Sequence, residues 1–257
     1  MFYSIISSCR IRALPILLIV LPLPLLAQTT TAPLPADAFQ TSVIAHGGST
    51  ALNGVSAILI TGQSTTARGT VPVQISASLD GRLRIDYGDP SNPQRSIVQT
   101  SQGQFVINAG KTQVKPPHVD LYAQLDWVSI LGLRYLNTGP VTWTNSGTDS
   151  VNGRPTSVLM ADNGQTQRQY GRVLANQVSI DLDSQTGLLA RLRRQQRSDN
   201  SLDYTFTVSY VFSDHRQAGP IVFPFRIDKA INNRVMETIV VSGVQLNPAL
   251  AGNLFER

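Results

Sequence analysis

From residue 55 onward, apolar positions recur every second residue over short stretches broken by turn residues, the period of β-strands and not of helices. Gly81 to Tyr87 is the cleanest case, with Leu83, Ile85 and Tyr87 alternating against Arg82, Arg84 and Asp86. Val55 to Gln63, Thr70 to Leu79, Arg95 to Thr100 and Gln104 to Ala109 complete a first group, with Asp80-Gly81 and Gln102-Gly103 as tight turns. Five short strands joined this closely predict an antiparallel meander, because parallel pairing needs a long crossover between strands. A second group comprises Val141 to Ser150, Thr156 to Asp162, Gln177 to Asp183, Leu188 to Gln196, Leu202 to Asp214, Ile221 to Lys229 and Val235 to Leu246, with turns at Asn152-Gly153 and Thr186-Gly187. The total is twelve strand candidates.

Two segments carry helical spacing instead. Ala36 to Thr50 places Phe39, Val43 and Ile44 on one side and ends at Gly47-Gly48. Val119 to Tyr135 places Leu121, Leu125, Val128 and Leu131 at helical intervals, while Tyr122, Trp127, Ile130 and Leu133 extend its apolar surface. Such a helix is covered on more than one face. With no break in composition between the two strand groups, one domain over residues 36–257 is expected, closed by a short tail at Pro248 to Phe255.

The strand Leu202 to Asp214 stands apart. Tyr204, Phe206, Val208, Tyr210 and Phe212 alternate with smaller polar residues such as Thr205, Thr207 and Ser209. A period of two puts the five large side chains on one face. Either the protein's own core covers that face, or the helix around Trp127, Ile130 and Leu131 lies over it as a lid and leaves room for an apolar ligand.

The amino-terminal pattern changes the compartment. Arg10 and Arg12 precede an apolar run from Ala13 to Leu26, closed by the small Ala27. This is the order of a secretory signal, residues 1–27. The run is shorter than the roughly 20 residues of a spanning helix, and Pro15, Pro22 and Pro24 interrupt it. Gln28 to Pro35, rich in Thr and Pro, reads as a disordered leader. Export predicts a periplasmic or secreted protein. The single cysteine, Cys9, falls inside the signal, so the mature chain has neither a disulfide nor a thiol nucleophile.

Charge narrows the partners. Without Arg10 and Arg12 there remain 19 Lys and Arg against 16 Asp and Glu, a net of +3, which is too small to point to nucleic acid. Arg191, Arg193, Arg194 and Arg197 form the densest basic patch. On a strand, Arg191, Arg193 and Arg197 share a face, which is either solvated or in contact with anionic lipid headgroups.

Candidate chemistry is sparse. His46, His118 and His215 lie in three separate regions, without metal-ligand spacing to one another or to an acid. His46 sits near a helix end and His215 in the turn Asp214 to Gly219. No Gly-x-Ser-x-Gly nucleophile elbow and no phosphate-binding glycine loop occurs. Asp181 and Asp183 can share a strand face as a carboxylate pair, but they precede a turn, where acids are ordinary. No catalytic residue, metal or cofactor is assigned.

The layout resembles the LolA-like and LolB-like superfamily of periplasmic lipoprotein carriers. "AHGGSTALNGVSAILITGQ" is similar to its opening helix, small-residue turn and first strand, and "SLDGRLRIDYGDP" to a strand pair with basic residues. "IDLDSQTGLLARLRRQQ" resembles its recurring hairpin, "YTFTVSYVFSDHRQAGPIVFPFRI" a strand, turn and Pro-Phe strand, and "VSGVQLNPALAGNLFER" its closing strand. The resemblance implies a strongly curved antiparallel sheet, an incomplete barrel with an N-terminal and an internal helix on its concave side. It also implies non-catalytic binding of acyl chains or lipid-modified protein in an apolar cavity. The arginine that gates such cavities falls nearest to Arg82 and Arg84. On this reading Tyr204, Phe206, Val208, Tyr210 and Phe212 line the cavity, and Trp127, Ile130 and Leu131 cover it. The protein would be a monomer with peripheral membrane contact. Three other readings stay open: an outer-membrane β-barrel, a secreted hydrolase with an unrecognised site, and an envelope protein whose filled core binds nothing.

Overall fold

A computed structural model describes residues 35–100, 103–115, 129–139, 141–169, 172–198 and 201–256. These residues lie within one compact unit. Among the described residues thirteen strands form a single antiparallel sheet. The first group is β1 (Ala57–Thr66), β2 (Gly69–Ser78), β3 (Leu83–Asp89), β4 (Asn92–Thr100), β5 (Gly103–Asn108) and β6 (Lys111–Lys115). The second is β7 (Thr142–Val151), β8 (Arg154–Gln169), β9 (Arg172–Asp183), β10 (Leu189–Ser198), β11 (Ser201–Ala218), β12 (Ile221–Ile231) and β13 (Arg234–Leu246). Each group is a meander, and the last strand returns to pair with the first, giving the order β6-β5-β4-β3-β2-β1-β13-β12-β11-β10-β9-β8-β7. The two edges, β6 and β7, lie at opposite ends of this order, so the sheet is open. That differs from a membrane-spanning barrel, which closes to remove its edges.

The sequence pattern misses one strand, β6. Its residues Lys111–Lys115 hold a single apolar side chain, Val114, which is exposed. The described side chains of this edge strand are exposed, and its charged ends discourage further pairing. The turn at Ala109-Gly110 that leads into it has both φ angles positive, as do Asn152-Gly153 and Asn232-Asn233. This left-handed pair matches the twist of two-residue hairpins.

The seam between the two meanders is β1 against β13. It runs from Ile58 opposite Leu246 to Thr66 opposite Glu237, with a bulge at Thr61/Gly62. Asn247 clamps its end: Oδ1 accepts from Ser56 N at 2.7 Å and from Ser56 Oγ at 3.0 Å, while Nδ2 donates to Gly54 O at 2.8 Å.

Among the described residues three short helices accompany the sheet: α1 (Pro35–Ala45), α2 (Gly48–Asn53) and α3 (Ser129–Thr138). Helix α1 ends at the expected glycine pair, where Gly47 has a φ of 114°, and Gly48–Asn53 form the separate helix α2. Ile44, expected on the buried side, is 72 % exposed. The buried positions are Phe39, Ser42, Val43 and His46, at i, i+3, i+4 and i+7. Two polar residues therefore complete the inward stripe, which hid its true direction. Helix α3 extends past the expected end at Tyr135; Val119 to Val128 lie outside the described residues. Its Ile130, Leu131, Leu133 and Leu136 are all buried, which fits a helix covered on more than one side.

One apolar cluster joins α1, α2 and α3 to residues of β1, β2, β3 and β8 through β13. A smaller cluster of Val98, Phe105 and Phe255 fixes the tail to β4 and β5. The guanidinium of Arg82 lies 4.8 Å from the Phe255 ring centre, and Arg84 Nη1 donates to Leu254 O at 3.0 Å. Arg84 Nε also donates to both carboxylate oxygens of Asp86 at 2.9 Å. Arg82 and Arg84 thus hold the tail.

Candidate functional site

The inner face of the sheet is set by register. Tyr210 stands opposite Leu192 of β10 and Lys229 of β12, and Phe212 opposite Ile227. Phe206 stands opposite Gln196, and Val208 opposite Arg194 and Ile231. Val208, Tyr210 and Phe212 are buried, Phe206 is partly buried, and all four belong to or pack on the main cluster together with Ile130 and Leu131 of α3. Six of the eight residues expected to form the greasy face and its cover thus come together. The side chains of Tyr204 and Trp127 lie outside the described residues.

Helix α3 packs against α2 and shares the main apolar cluster with this face. Arg134 Nη1 donates to Val55 O at 2.6 Å, and Asn137 Oδ1 accepts from Gln40 Nε2 at 3.2 Å. Ile130, Leu131, Leu133 and Leu136 add apolar packing.

Sequence reasoning misses the polar groups of the same face. Arg194 shares the phase of Leu192 and lies beside Tyr210; burial lowers its guanidinium pKa to about 10, so it stays charged at neutral pH. Lys229 Nζ sits 5.6 Å from the Tyr210 ring centre. On β13, Glu237 accepts a 2.7 Å hydrogen bond from Ser64 Oγ of β1. Burial and the neighbouring Glu237 push the Tyr87 hydroxyl well above its usual pKa. Tyr87, Ser64, Glu237, Lys229, Tyr210 and Arg194 therefore form a polar belt across the inner face from β3 to β10. The remainder of that face, around Ile58, Ile60, Ile75 and Phe223, is apolar. The signal was present in the sequence: Arg194 is the one arginine of its patch out of phase with Arg191 and Arg193.

The opposite face uses the expected basic patch differently. Arg191 Nε donates to Asp181 Oδ2 at 2.6 Å and Arg193 Nη2 to Asp181 Oδ1 at 2.9 Å, and both arginines also pair with Asp149. Asp181 is fully buried beneath them. Burial pushes its carboxyl up, against the pull of Arg193 and Arg191. Asp183 accepts from Arg154 and from Gln185 N and Thr186 N at 3.0 and 2.8 Å, which closes the β9–β10 turn. The Arg154 hydrogen bond and these turn donors hold its carboxyl well below the usual carboxylate range. The Asp181 and Asp183 pair is thus two structural ion pairs, not an acid–base dyad. Arg191 and Arg193 are committed to carboxylates, not to lipid headgroups. Among the described residues no group of three His, Cys, Asp or Glu side chains stands in metal-binding geometry.

No family model matches the sequence, and no curated protein matches it in sequence. Solved structures do match in fold. An outer membrane lipoprotein-sorting protein domain from Vibrio parahaemolyticus superposes with a TM-score of 0.51 at 10% identity, over 86% of this chain and 95% of that one. A LolA superfamily protein from Nitrosomonas europaea gives 0.52 at 10% identity, over 88% and 99%. A DUF1329 family protein from Desulfovibrio piger gives 0.51 at 9% identity, over 86% and 97%. Identity this low carries the architecture and not the activity. The protein therefore has the fold of the LolA superfamily.

Proposed function

We propose that the protein is an exported, non-catalytic binder of lipid acyl chains or lipid-modified protein in the cell envelope, with the sheet curving around α1, α2 and α3. The observation that carries this reading is the inner face. Phe206, Val208, Tyr210 and Phe212 lie on one face and join the main apolar cluster together with Ile130 and Leu131 of α3, and a polar belt crosses that face at Tyr210. An amphiphile needs both zones: a dry wall for its chain and polar groups for its head. Each buried methylene contributes about 0.8 kcal/mol, so burial of an acyl chain along this face is favourable. The fold shared with a lipoprotein-sorting domain supports the same ligand class. Export follows from the signal-like residues 1–27, and a monomer with passing membrane contact suits a carrier.

The test is binding of a fluorescent fatty acid to the mature protein and to a Phe206→Ser/Phe212→Ser double variant. The wall's loss is expected to weaken binding at least tenfold in a variant that keeps its far-ultraviolet dichroism. Undiminished binding by a folded variant would overturn the reading. Phe206→Ser alone, at a partly buried position, serves if the double variant does not fold.

A further inference from the structure

The hairpin between β12 and β13 carries apolar side chains that the core does not take up. Val235 and Met236 are consecutive, and they are 57 % and 45 % exposed. Consecutive strand residues point to opposite faces, so the tip is apolar on both sides. Single exposed apolar residues are ordinary on a protein surface, but here two of them share one hairpin tip.

Register explains why the pair is bare. Strand β1 ends at Thr66, opposite Glu237, so Arg234, Val235 and Met236 run past the last pairing residue of β1. On its other side the tip is held firmly. Asn232 and Asn233 have positive φ, 47° and 66°, as a two-residue hairpin turn requires. Asn232 N donates to Thr207 O at 2.9 Å, and Asn232 Oδ1 accepts from Thr207 N at 3.0 Å. The apolar pair is thus presented on a tip fastened to β11 and not on a loose loop.

Charge indicates what covers it. Arg234 adjoins the pair, and Arg68 stands in the neighbouring β1–β2 turn; both are exposed. Neither pairs with a described carboxylate. The acids along the hairpin are engaged elsewhere. Glu237 accepts from Ser64 Oγ at 2.7 Å, and Asp228 accepts from Arg226 Nε and Nη2 at 2.9 Å. Apolar side chains that project from between exposed arginines match the layering of an anionic bilayer, with acyl chains beneath phosphates.

We propose that the β12–β13 tip is a membrane-docking element, with Val235 and Met236 entering the acyl layer and Arg68 and Arg234 meeting anionic lipid headgroups. The position suits lipid transfer. Ile231 stands opposite Val208, and Asn232 meets Thr207, so the tip lies beside the Phe206 end of the apolar face. A chain entering there reaches Phe206 and Val208 first. That last step rests on the acyl-binding reading; the docking itself does not.

The test is co-sedimentation of the mature protein with sucrose-loaded vesicles at low ionic strength. Vesicles of phosphatidylcholine alone are compared with vesicles that also contain phosphatidylglycerol. Binding to the anionic vesicles is expected to be at least tenfold tighter and to fall as salt rises, because exposed charges are screened. Val235→Ser/Met236→Ser should weaken it at least tenfold, and Arg68→Gln/Arg234→Gln should remove the preference for anionic lipid. All four side chains are exposed, so these variants keep the fold. Ile44→Ser, which removes a 72 % exposed apolar side chain from α1, should change nothing. Absence of vesicle binding, equal binding to both vesicles, or full binding by Val235→Ser/Met236→Ser would overturn the proposal. Fluorescent fatty-acid uptake without vesicles should be the same in Val235→Ser/Met236→Ser as in the unmutated protein, and its loss there would also overturn the docking role. Unmutated protein that docks but takes up no fatty acid would contradict the acyl-binding reading and leave the docking element standing.

Discussion

Asp181→Ala is expected to destabilise the protein by about 3–5 kcal/mol, the range for removing one partner of a buried ion pair. The carboxylate is fully buried and takes short hydrogen bonds from both Arg191 and Arg193, whose side chains are only 16 % and 28 % exposed. Its loss leaves two guanidiniums side by side on β10 with Asp149 as their remaining described carboxylate. Asp149 itself is a useful contrast. At 41 % side-chain exposure it lies in the solvent-screened regime, so Asp149→Ala should cost less than about 1 kcal/mol. Urea unfolding of the two variants measures the difference. Equal, small effects would mean that Asp181 is not the hub of the outer face.

Gly47→Ala is expected to cost more than Gly48→Ala by at least about 2 kcal/mol, although both glycines have positive φ, 114° and 84°. The left-handed conformation burdens either alanine by roughly 1–2 kcal/mol. A Cβ on Gly48 meets nothing within 4 Å. A Cβ on Gly47 would lie 2.4 Å from the Pro220 carbonyl oxygen, a backbone atom that cannot step aside. The corner between α1 and α2 sits directly on the β11–β12 turn there, and Val222 N donates to His46 O at 3.2 Å. Thermal unfolding of the two variants separates the shared conformational term from the close approach. Equal melting temperatures would show that the helical corner is not seated on Pro220.

Much of the sheet was legible because its strands are half-buried and alternate. Leu83, Ile85 and Tyr87 read as a strand directly, and Asn152-Gly153 reads as a hairpin turn. What failed were elements whose surroundings oppose the pattern. Strand β6 buries almost nothing, so its residues carry no periodic signal. Helix α1 turns Ser42 and His46 inward, and single-residue hydrophobicity chose Ile44 in their place. The apolar wall of β11 was visible because five large side chains share one parity. The polar belt was not, since Tyr87, Ser64, Glu237, Lys229 and Arg194 come from five strands spread along the chain. Only the pairing register brings them onto one face.

The most direct test of an acyl-binding interior is to export the full chain in a bacterial host and purify the processed protein without detergent. Its organic extract is then analysed by mass spectrometry. Acyl lipid at near one molecule per protein is the predicted result, and it should fall away in the folded Phe206→Ser/Phe212→Ser variant. A stable, detergent-free protein whose extract holds no lipid, and which takes none up from vesicles, would contradict it. The face of Phe206 to Phe212 would then be a packed core and nothing more.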